Sequence, residues 1–327
     1  MTAATVLIPT HEHVETLRHA VASVQLQTLQ DFELLIVGDG VADATRVVVA
    51  ELSAADSRIR FLDFRKGPRM GESHRHQALQ RAQGRFVAYL GDDDCWMPNH
   101  LEVLDALLAD ADFGHTLQLG IGAEGQIVVM PADLQNSAFR SRMLNELFNR
   151  FDLTFAGHTM AAYHRLPHGW RTTPPEFPWT DLYMWRQFLA EPWCRARSAM
   201  VPTGINTWTH LRPHLSDRER ADDLAYWRGQ AAAPAFRENL WRDIAQRFAR
   251  ESVAFELELV RYAAAYGTLE AAHAAALADI ARLGAERSEL AASLAAMRSS
   301  TSWRVTRPLR QLRLMTAELL KLANVGK

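Results

Sequence analysis

Asp92-Asp93-Asp94 stands directly after the short apolar run Arg85–Leu90. A run that short, aromatic and β-branched reads as a buried strand, with the three carboxylates at its C-terminal mouth. Like charges so close repel one another, and stability alone gives no reason to gather them. A hard divalent cation resolves the repulsion, because Mg²⁺ and Mn²⁺ take oxygen ligands and keep positions open for phosphate oxygens. An acidic turn capping the helix after Pro98 is the plainer account. Other polar groups tip the balance toward chemistry. Pro9-Thr10-His11-Glu12 and Gly38-Asp39-Gly40 also follow apolar runs, Arg75 lies in a helical stretch, and Asp181 opens another beyond Pro178.

These groups need a frame to bring them together. Thr5–Ile8 reads as a strand, followed by a helix with apolar residues at Leu17, Val21, Val24 and Leu26. Phe32–Val37 is a second strand, and Asp43 can cap a helix through Val47, Val48 and Leu52. Ile59–Phe64 is a third strand, Glu72–Ala82 a helix stopped by Gly84, and Phe86–Leu90 a fourth strand. This β-α rhythm predicts an α/β fold with a mostly parallel sheet flanked by helices. In such sheets ligands collect at the carboxyl ends of the strands, where the three polar clusters lie.

From about residue 113 to 215 the pattern is less regular, with more Pro, Trp and His. Gly120 to Met130 reads as a hairpin, Phe139–Phe151 as a helix, His158–Tyr163 as a strand and Asp181–Leu189 as a helix. From Tyr262 a 4-3 spacing runs Tyr266, Leu269, His273, Ala276, Ile280, Leu283, Arg287, Leu290, Leu294 and Met297, a coiled-coil pattern that suggests a homodimer. Ser302 to Lys327 carries four Arg and two Lys against one Glu, with Trp303 and several leucines interleaved. That composition suits contact with an anionic membrane surface. The expected domains are thus 1–215, a catalytic α/β domain; 216–265, a helical extension; 266–300, a coiled-coil-like helix; and 301–327, a basic amphipathic tail.

Bulk properties narrow the classes. The chain has 327 residues, 48% hydrophobic and 23% charged, with a formal net charge of −2, so no global case exists for nucleic-acid binding. Cys95 and Cys194 lie far apart without metal-type spacing, which fits a reducing compartment. Thr5–Ile8 is too short for a signal-peptide core, and no apolar stretch reaches the ~18 residues that span a bilayer. A cytoplasmic location is expected.

Four segments carry a family resemblance. Val6-Leu7-Ile8-Pro9-Thr10-His11-Glu12 opens the chain, and Ser23-Val24-Gln25-Leu26-Gln27-Thr28-Leu29-Gln30-Asp31-Phe32-Glu33 follows. Ile36-Val37-Gly38-Asp39-Gly40 comes next, and Ala82-Gln83-Gly84-Arg85-Phe86 leads into the triple aspartate. In this order and spacing they resemble the GT-A fold glycosyltransferases, and within them the large inverting family 2, over roughly residues 3–215. The resemblance implies a nucleotide-diphosphate sugar donor, a glycan or lipid-linked acceptor, and Mn²⁺ or Mg²⁺ as cofactor. It implies that Pro9, Thr10, His11 and Glu12 line the nucleotide-sugar site and that Asp39 contacts the base. Arg75 would lie near the diphosphate, Asp93 would reach the ribose with Asp92 beside it, and Asp94 would bind the metal. His210 is a further metal-ligand candidate, and Asp181 is the candidate general base. His11-x-His13 and His74-x-His76 have metal-like spacing but fall in segments used for nucleotide, so no zinc site is read there. Gly38 and Gly91 stand where the family carries acids. The basic tail resembles tails of bacterial glycosyltransferases of surface-polysaccharide assembly, which implies a peripheral place on the inner membrane. Two other readings compete. One is a nucleotidyltransferase, which would want a Gly-rich basic loop after the first strand that Thr10–Glu15 lacks. The other is a degenerate domain that binds a nucleotide sugar or scaffolds a complex.

Overall fold

The computed structural model describes residues 2–301 and Thr306. Clustering of the backbone divides the chain into two compact units, the first ending at Ile244 and the second beginning at Ala245.

The first unit opens with β1 (Ala4–Thr10), α1 (Val14–Gln25), β2 (Phe32–Asp39), α2 (Asp43–Ala55), β3 (Ile59–Phe64), α3 (Glu72–Leu79) and β4 (Phe86–Tyr89). β5 (Cys95–Trp96), α4 (His100–Leu108), β6 (Phe113–Ile121), β7 (Ile127–Met130) and α5 (Ser137–Asn145) follow. The unit continues through β8 (Ala156–Thr159), α6 (Met160–Arg165), α7 (Thr180–Leu189), β9 (Ala196–Pro202), β10 (Gly204–Ile205) and α8 (Asp217–Ala232), and α9 runs Pro234–Ser299.

The main sheet has the strand order β3-β2-β1-β4-β8-β6-β7, with β9 also pairing β6, and β10 pairs β5 separately. β1, β2, β3 and β4 are parallel to their neighbours among themselves, as the sequence rhythm predicts. The later strands make the sheet mixed: β8 is antiparallel to β4 and β6, and β7 is antiparallel to β6. Register places the site. Thr10 of β1 lies opposite Gly38 of β2, and Leu7 lies opposite Tyr89 of β4, so three strand ends share one rim.

Successive residues of the first strands feed opposite faces of the sheet, as the pleat requires. Val6, Ile8, Leu34 and Ile36 pack with Leu17, Val21 and Val24 of α1, whose i, i+4, i+7 spacing makes one buried stripe. Leu7, Leu35 and Val37 pack on the other face with Leu79, Phe155 and Trp185. Strands buried on both faces read as continuous apolar runs, which is why they were visible in the sequence.

Several local expectations need correction. His158–Tyr163 is strand only to Thr159, whose hydroxyl then accepts the Ala162 N–H and starts α6. The helix expected over Phe139–Phe151 ends at Asn145, and Phe148 turns back to lie edge-on to Phe139 at 5.3 Å. α8, capped by a Ser216–Glu219 capping box, packs within the first unit. Its Leu224, Trp227 and Ala231 join Leu240 and Ile244 of α9 in a core with Leu119, Ile121 and Ile205. α9 is continuous across the boundary expected at residue 265. The 4-3 stripe from Tyr262 to Met297 lies on it, and the spacing extends back through Leu259, Phe255, Ser252, Phe248 and Ala245 to Trp241. The basic segment 302–327 lies outside the described residues apart from Thr306. Among the described residues no helix is long and apolar enough to cross a membrane.

Candidate functional site

The rim formed by β1, β2 and β4 holds a pocket of about 340 Å³. Pro9, Thr10, His11 and Glu12 line it from the end of β1, Asp39 from β2, Arg75 from α3, and Gly91 and Asp92 from the acidic turn. Of the residues expected to hold a nucleotide sugar, only Asp93 is not a wall of this pocket; it lies next to it. Thr10 Oγ1, His11 Nδ1 and Arg75 Nε and Nη1 are buried polar atoms without a protein partner. Such groups are costly in a folded protein, and a polar ligand in the pocket would relieve that cost.

Arg75 is only 6% exposed. Its Nη2 donates to the Met70 carbonyl at 3.1 Å, and the guanidinium lies 4.7 Å from the Trp170 ring centre. Burial pushes its pKa down, while Glu72, Tyr89, Asp181 and Asp39 support the charged form. Asp39 is held on both oxygens: Lys66 Nζ donates to Oδ2 at 2.6 Å and the Gly67 N–H to Oδ1 at 2.6 Å. Gly71, at φ +65°, sits so close that a Cβ there would meet the Asp39 carboxylate at 2.6 Å. Arg69, at φ +53°, ties the same loop across to the Pro175 and Phe177 carbonyls at 3.2 and 2.8 Å.

The three aspartates have separate fates. His13 Nδ1 lies 2.9 Å from Asp92 Oδ1, and this hydrogen bond, aided by Asp93, raises the His13 pKa to about 9 against burial and Arg220. Among the described residues, His13, Asp92 and Asp93 form the one group of ligand-type side chains close enough to share a cation. Burial and then Asp92 push the Asp93 pKa up. Asp94 is turned inward. It accepts hydrogen bonds from the Thr154 hydroxyl, from Asn206 Nδ2 at 3.3 Å and from the Thr207 N–H at 3.3 Å. Asp94 and His210, the two residues expected to bind metal, are not members of the His13–Asp92–Asp93 group. Protein donors take up the Asp94 carboxylate, and its Oδ2 lies so close to Gly91 that a Cβ there would meet it at 2.8 Å.

His210 instead shares a second pocket, also about 340 Å³, with Asp181. Asp152, Trp179 and Trp208 line it too. Asp181 lies in the first turn of α7, where its Oδ1 accepts the Leu182 N–H at 2.7 Å and Oδ2 accepts from Asn149 Nδ2 at 3.3 Å. Burial raises its pKa to about 6, while those N–H groups and Arg75 pull it down. Asp152 accepts Asn206 Nδ2 at 2.5 Å and Gln118 Nε2 at 2.8 Å, and burial followed by Asp181 pushes its pKa up. Trp208 has the left-handed φ of +39°, with its indole over Gly120, where a Cβ would come within 2.5 Å of the ring. A hydrogen-bond network runs from the acidic turn to the second pocket. Asn206 Nδ2 bridges Asp94 and Asp152, and the Thr207 hydroxyl donates to the Asp93 carbonyl at 3.0 Å.

Sequence reasoning passed over His13, Lys66, Arg69, Asp152 and Trp208. His13 had a signal in the His11-x-His13 spacing, and Lys66 and Arg69 sit in the basic run Arg65-Lys66-Gly67-Pro68-Arg69 at the end of the third strand. Nothing local marks Asp152 or Trp208, which matter only through partners far away in the chain.

Residues 5–168, half of the chain, match the family described as Glycosyl transferase family 2. The UDP-Glc:alpha-D-GlcNAc-diphosphoundecaprenol beta-1,3-glucosyltransferase WfgD of Escherichia coli is 38% identical over 100 residues, 30% of this chain and 38% of that protein. The GalNAc(5)-diNAcBac-PP-undecaprenol beta-1,3-glucosyltransferase of Campylobacter jejuni is 31% identical over 107 residues, 32% of this chain and 34% of that protein. The alignments thus span little more than a third of these relatives' own length. The crystal structure of S. aureus TarS matches with a TM-score of 0.50 at 16% identity, over 70% of this chain and 43% of that one, a likeness of fold. With the parallel β1–β4 half, the strand-end pocket and the acidic turn, the fold is GT-A, and the chain belongs to glycosyl transferase family 2.

Proposed function

We propose that the chain transfers a sugar, with inversion, from a nucleoside-diphosphate sugar to a lipid-linked or glycan acceptor in surface-polysaccharide synthesis. One observation carries the reading. Arg75, a buried cation with unfilled donors, lines the first pocket, and Asp181, a raised-pKa carboxylate at the start of α7, lines the second. A diphosphate on Arg75 and an acceptor hydroxyl on Asp181 would then meet between the pockets.

The residues divide the work. Thr10, His11 and Asp39 hold the base and its ribose, with Lys66 keeping Asp39 in place. Arg75 takes the diphosphate through charge-assisted hydrogen bonds. Asp181, ionised above a pH of about 6, accepts the proton of the acceptor hydroxyl as it attacks the anomeric carbon. Trp179 and Trp208 offer apolar ring faces to a sugar, and His210 stands at the rim. A mixed nitrogen–oxygen donor set beside an anion-seeking arginine fits Mn²⁺ or Mg²⁺, held at the acidic turn. Such an ion would act as a Lewis acid for the departing diphosphate.

The undecaprenol-linked sugars in the two relatives' names support a lipid-linked acceptor. The basic segment 302–327 supports peripheral contact with the membrane that carries such lipids. The stripe on α9 supports pairing with a second copy, since its d positions from Trp241 to Met297 are all apolar and its polar members Ser252, His273 and Arg287 all fall at a. Light scattering of the full chain checks the dimer, and a monomer rules it out.

The function is tested by thermal shift with UDP, GDP and their sugars, each with and without Mn²⁺, followed by transfer to a polyprenyl-diphosphate sugar. A nucleotide that binds only the folded state at about 100 times its Kd stabilises by ~2.7 kcal/mol. A panel in which no nucleoside diphosphate raises the melting temperature would sink the proposal.

A further inference from the structure

We propose that His13 is a direct ligand of the divalent cation at the acidic turn. The inference rests on the reading that the first pocket takes a nucleoside diphosphate together with such an ion.

The donor set is built from two places in the chain. His13 enters from the N-terminal cap of α1, and Asp92 and Asp93 come from the turn after β4. One ligand atom from each lies within 4.8 Å of the others. The 2.9 Å between His13 Nδ1 and Asp92 Oδ1 is also the right separation for neighbours on one ion, since adjacent octahedral ligands with bonds of about 2.1 Å sit about 3 Å apart. The other nearby groups are unsuited. Asp94 already accepts from Thr154, Asn206 and Thr207. Position 91 has no side chain, and a Cβ there would press on both Asp94 and Asp93.

An independent observation points to a ligand at the same place. Arg75, buried in the wall shared with His13 and Asp92, keeps Nε and Nη1 without partners. An acid–imidazole group and an unfilled guanidinium in one pocket match the two charges of a cation–diphosphate pair. His13 has a competing role as a protonated counter-charge to Asp92. The two roles exclude each other, because a nitrogen that carries a proton cannot bind a metal. An imidazole ligand also biases the site. Nitrogen suits Mn²⁺ better than the harder Mg²⁺, so selection for Mn²⁺ is expected to exceed that of an all-carboxylate turn.

The test titrates the full chain with Mn²⁺ alone and with Mn²⁺ plus inorganic pyrophosphate, counting free ion by electron paramagnetic resonance. Pulsed measurements on the bound ion then look for coupling to a ligating nitrogen. The expected result is nitrogen coupling in the wild type that persists in His11→Ala and His210→Ala but vanishes in His13→Ala. Outer-shell partners of metal sites are worth about 10–100-fold, so losing this direct ligand is expected to weaken Mn²⁺ by ~10-fold or more. His13→Asp is expected to regain Mn²⁺ binding without nitrogen coupling and to narrow the preference over Mg²⁺. If His13 is only a counter-charge, His13→Ala binds Mn²⁺ as well as or better than wild type, and the proposal falls. Loss of Mn²⁺ in Asp93→Asn beside that result overturns the role of His13 alone. A wild type that binds no Mn²⁺, with or without pyrophosphate, overturns the metal reading as well.

Discussion

The two pockets are alike in size and unlike in construction. The first is set by backbone register: parallel neighbours end together, and the residue after each strand faces the ligand whatever lies elsewhere in the chain. The second is set by side chains. Asp152, Asp181, Trp208 and His210 come from separate loops and from the start of α7, and hydrogen bonds such as Asn206 to Asp152 hold them in position. Buried Arg212 braces that loop further, donating to Asp223 of α8 at 2.7 Å and to the Thr207 carbonyl at 2.5 Å. The first pocket thus rests on register, and the second on a polar network that depends on distant partners. Networks of this kind fail as units.

Three substitutions can break or sharpen that contrast. The largest effect is expected for Asp181→Asn, which should lower turnover by roughly 10²–10⁴-fold and leave nucleoside-diphosphate affinity unchanged. In the wild type the rate is expected to rise as pH climbs through about 6, because the raised pKa keeps Asp181 protonated, and unable to accept, below that point. A pH–rate profile of both proteins checks this, and near-normal turnover of the Asn variant would remove Asp181 from the chemistry.

Arg75→Met should act in the opposite half. Charge-assisted hydrogen bonds are worth about 1.5–3 kcal/mol, so a roughly 10- to 100-fold loss of nucleotide affinity is expected. The apo protein should also melt lower, because Glu72, which is fully buried, and Asp181 lose the cation that supports their charge, so affinities are compared where both proteins are folded. Equal UDP affinity by calorimetry in the two proteins would mean that the guanidinium does not meet the diphosphate.

The smallest effect is expected for Gly120→Ala. Its methyl must push the Trp208 ring, overpacking that costs about 1–3 kcal/mol. Acceptor KM should rise severalfold with donor KM unchanged. A matching rise in donor KM would show that the two pockets are less separable than their construction suggests.

The same contrast explains what the sequence disclosed. The first four strands alternate in a predictable way, and the groups after them, from Thr10 through Asp39 to Asp92, could be named because strand ends are local features. Arg75 was also legible, being one residue on a short helix between identified strands. The family resemblance implied that Asp94 binds the metal, yet its direction is fixed by Thr154 and Asn206, more than fifty residues away. Trp208 could not be anticipated at all, since its backbone takes a conformation that sequence would reserve for glycine. β8, antiparallel to β4 and β6, was misread in its bounds and β9, parallel to β6, was missed, because Ala156–Thr159 and Ala196–Pro202 carry little apolar periodicity.

Gly120 and Trp208 also constrain how this protein can evolve. With the indole seated where a Cβ would stand, no side chain at 120 is compatible with Trp208 as it lies. The two positions are therefore epistatic, and the order of change matters. A lineage that first alters Gly120 must expel the ring and disturb the acceptor pocket. A lineage that first exchanges Trp208 for a smaller residue relieves a strained backbone and only then frees position 120 to vary. Acceptor preference along this branch of the family is thus expected to drift through residue 208 before residue 120.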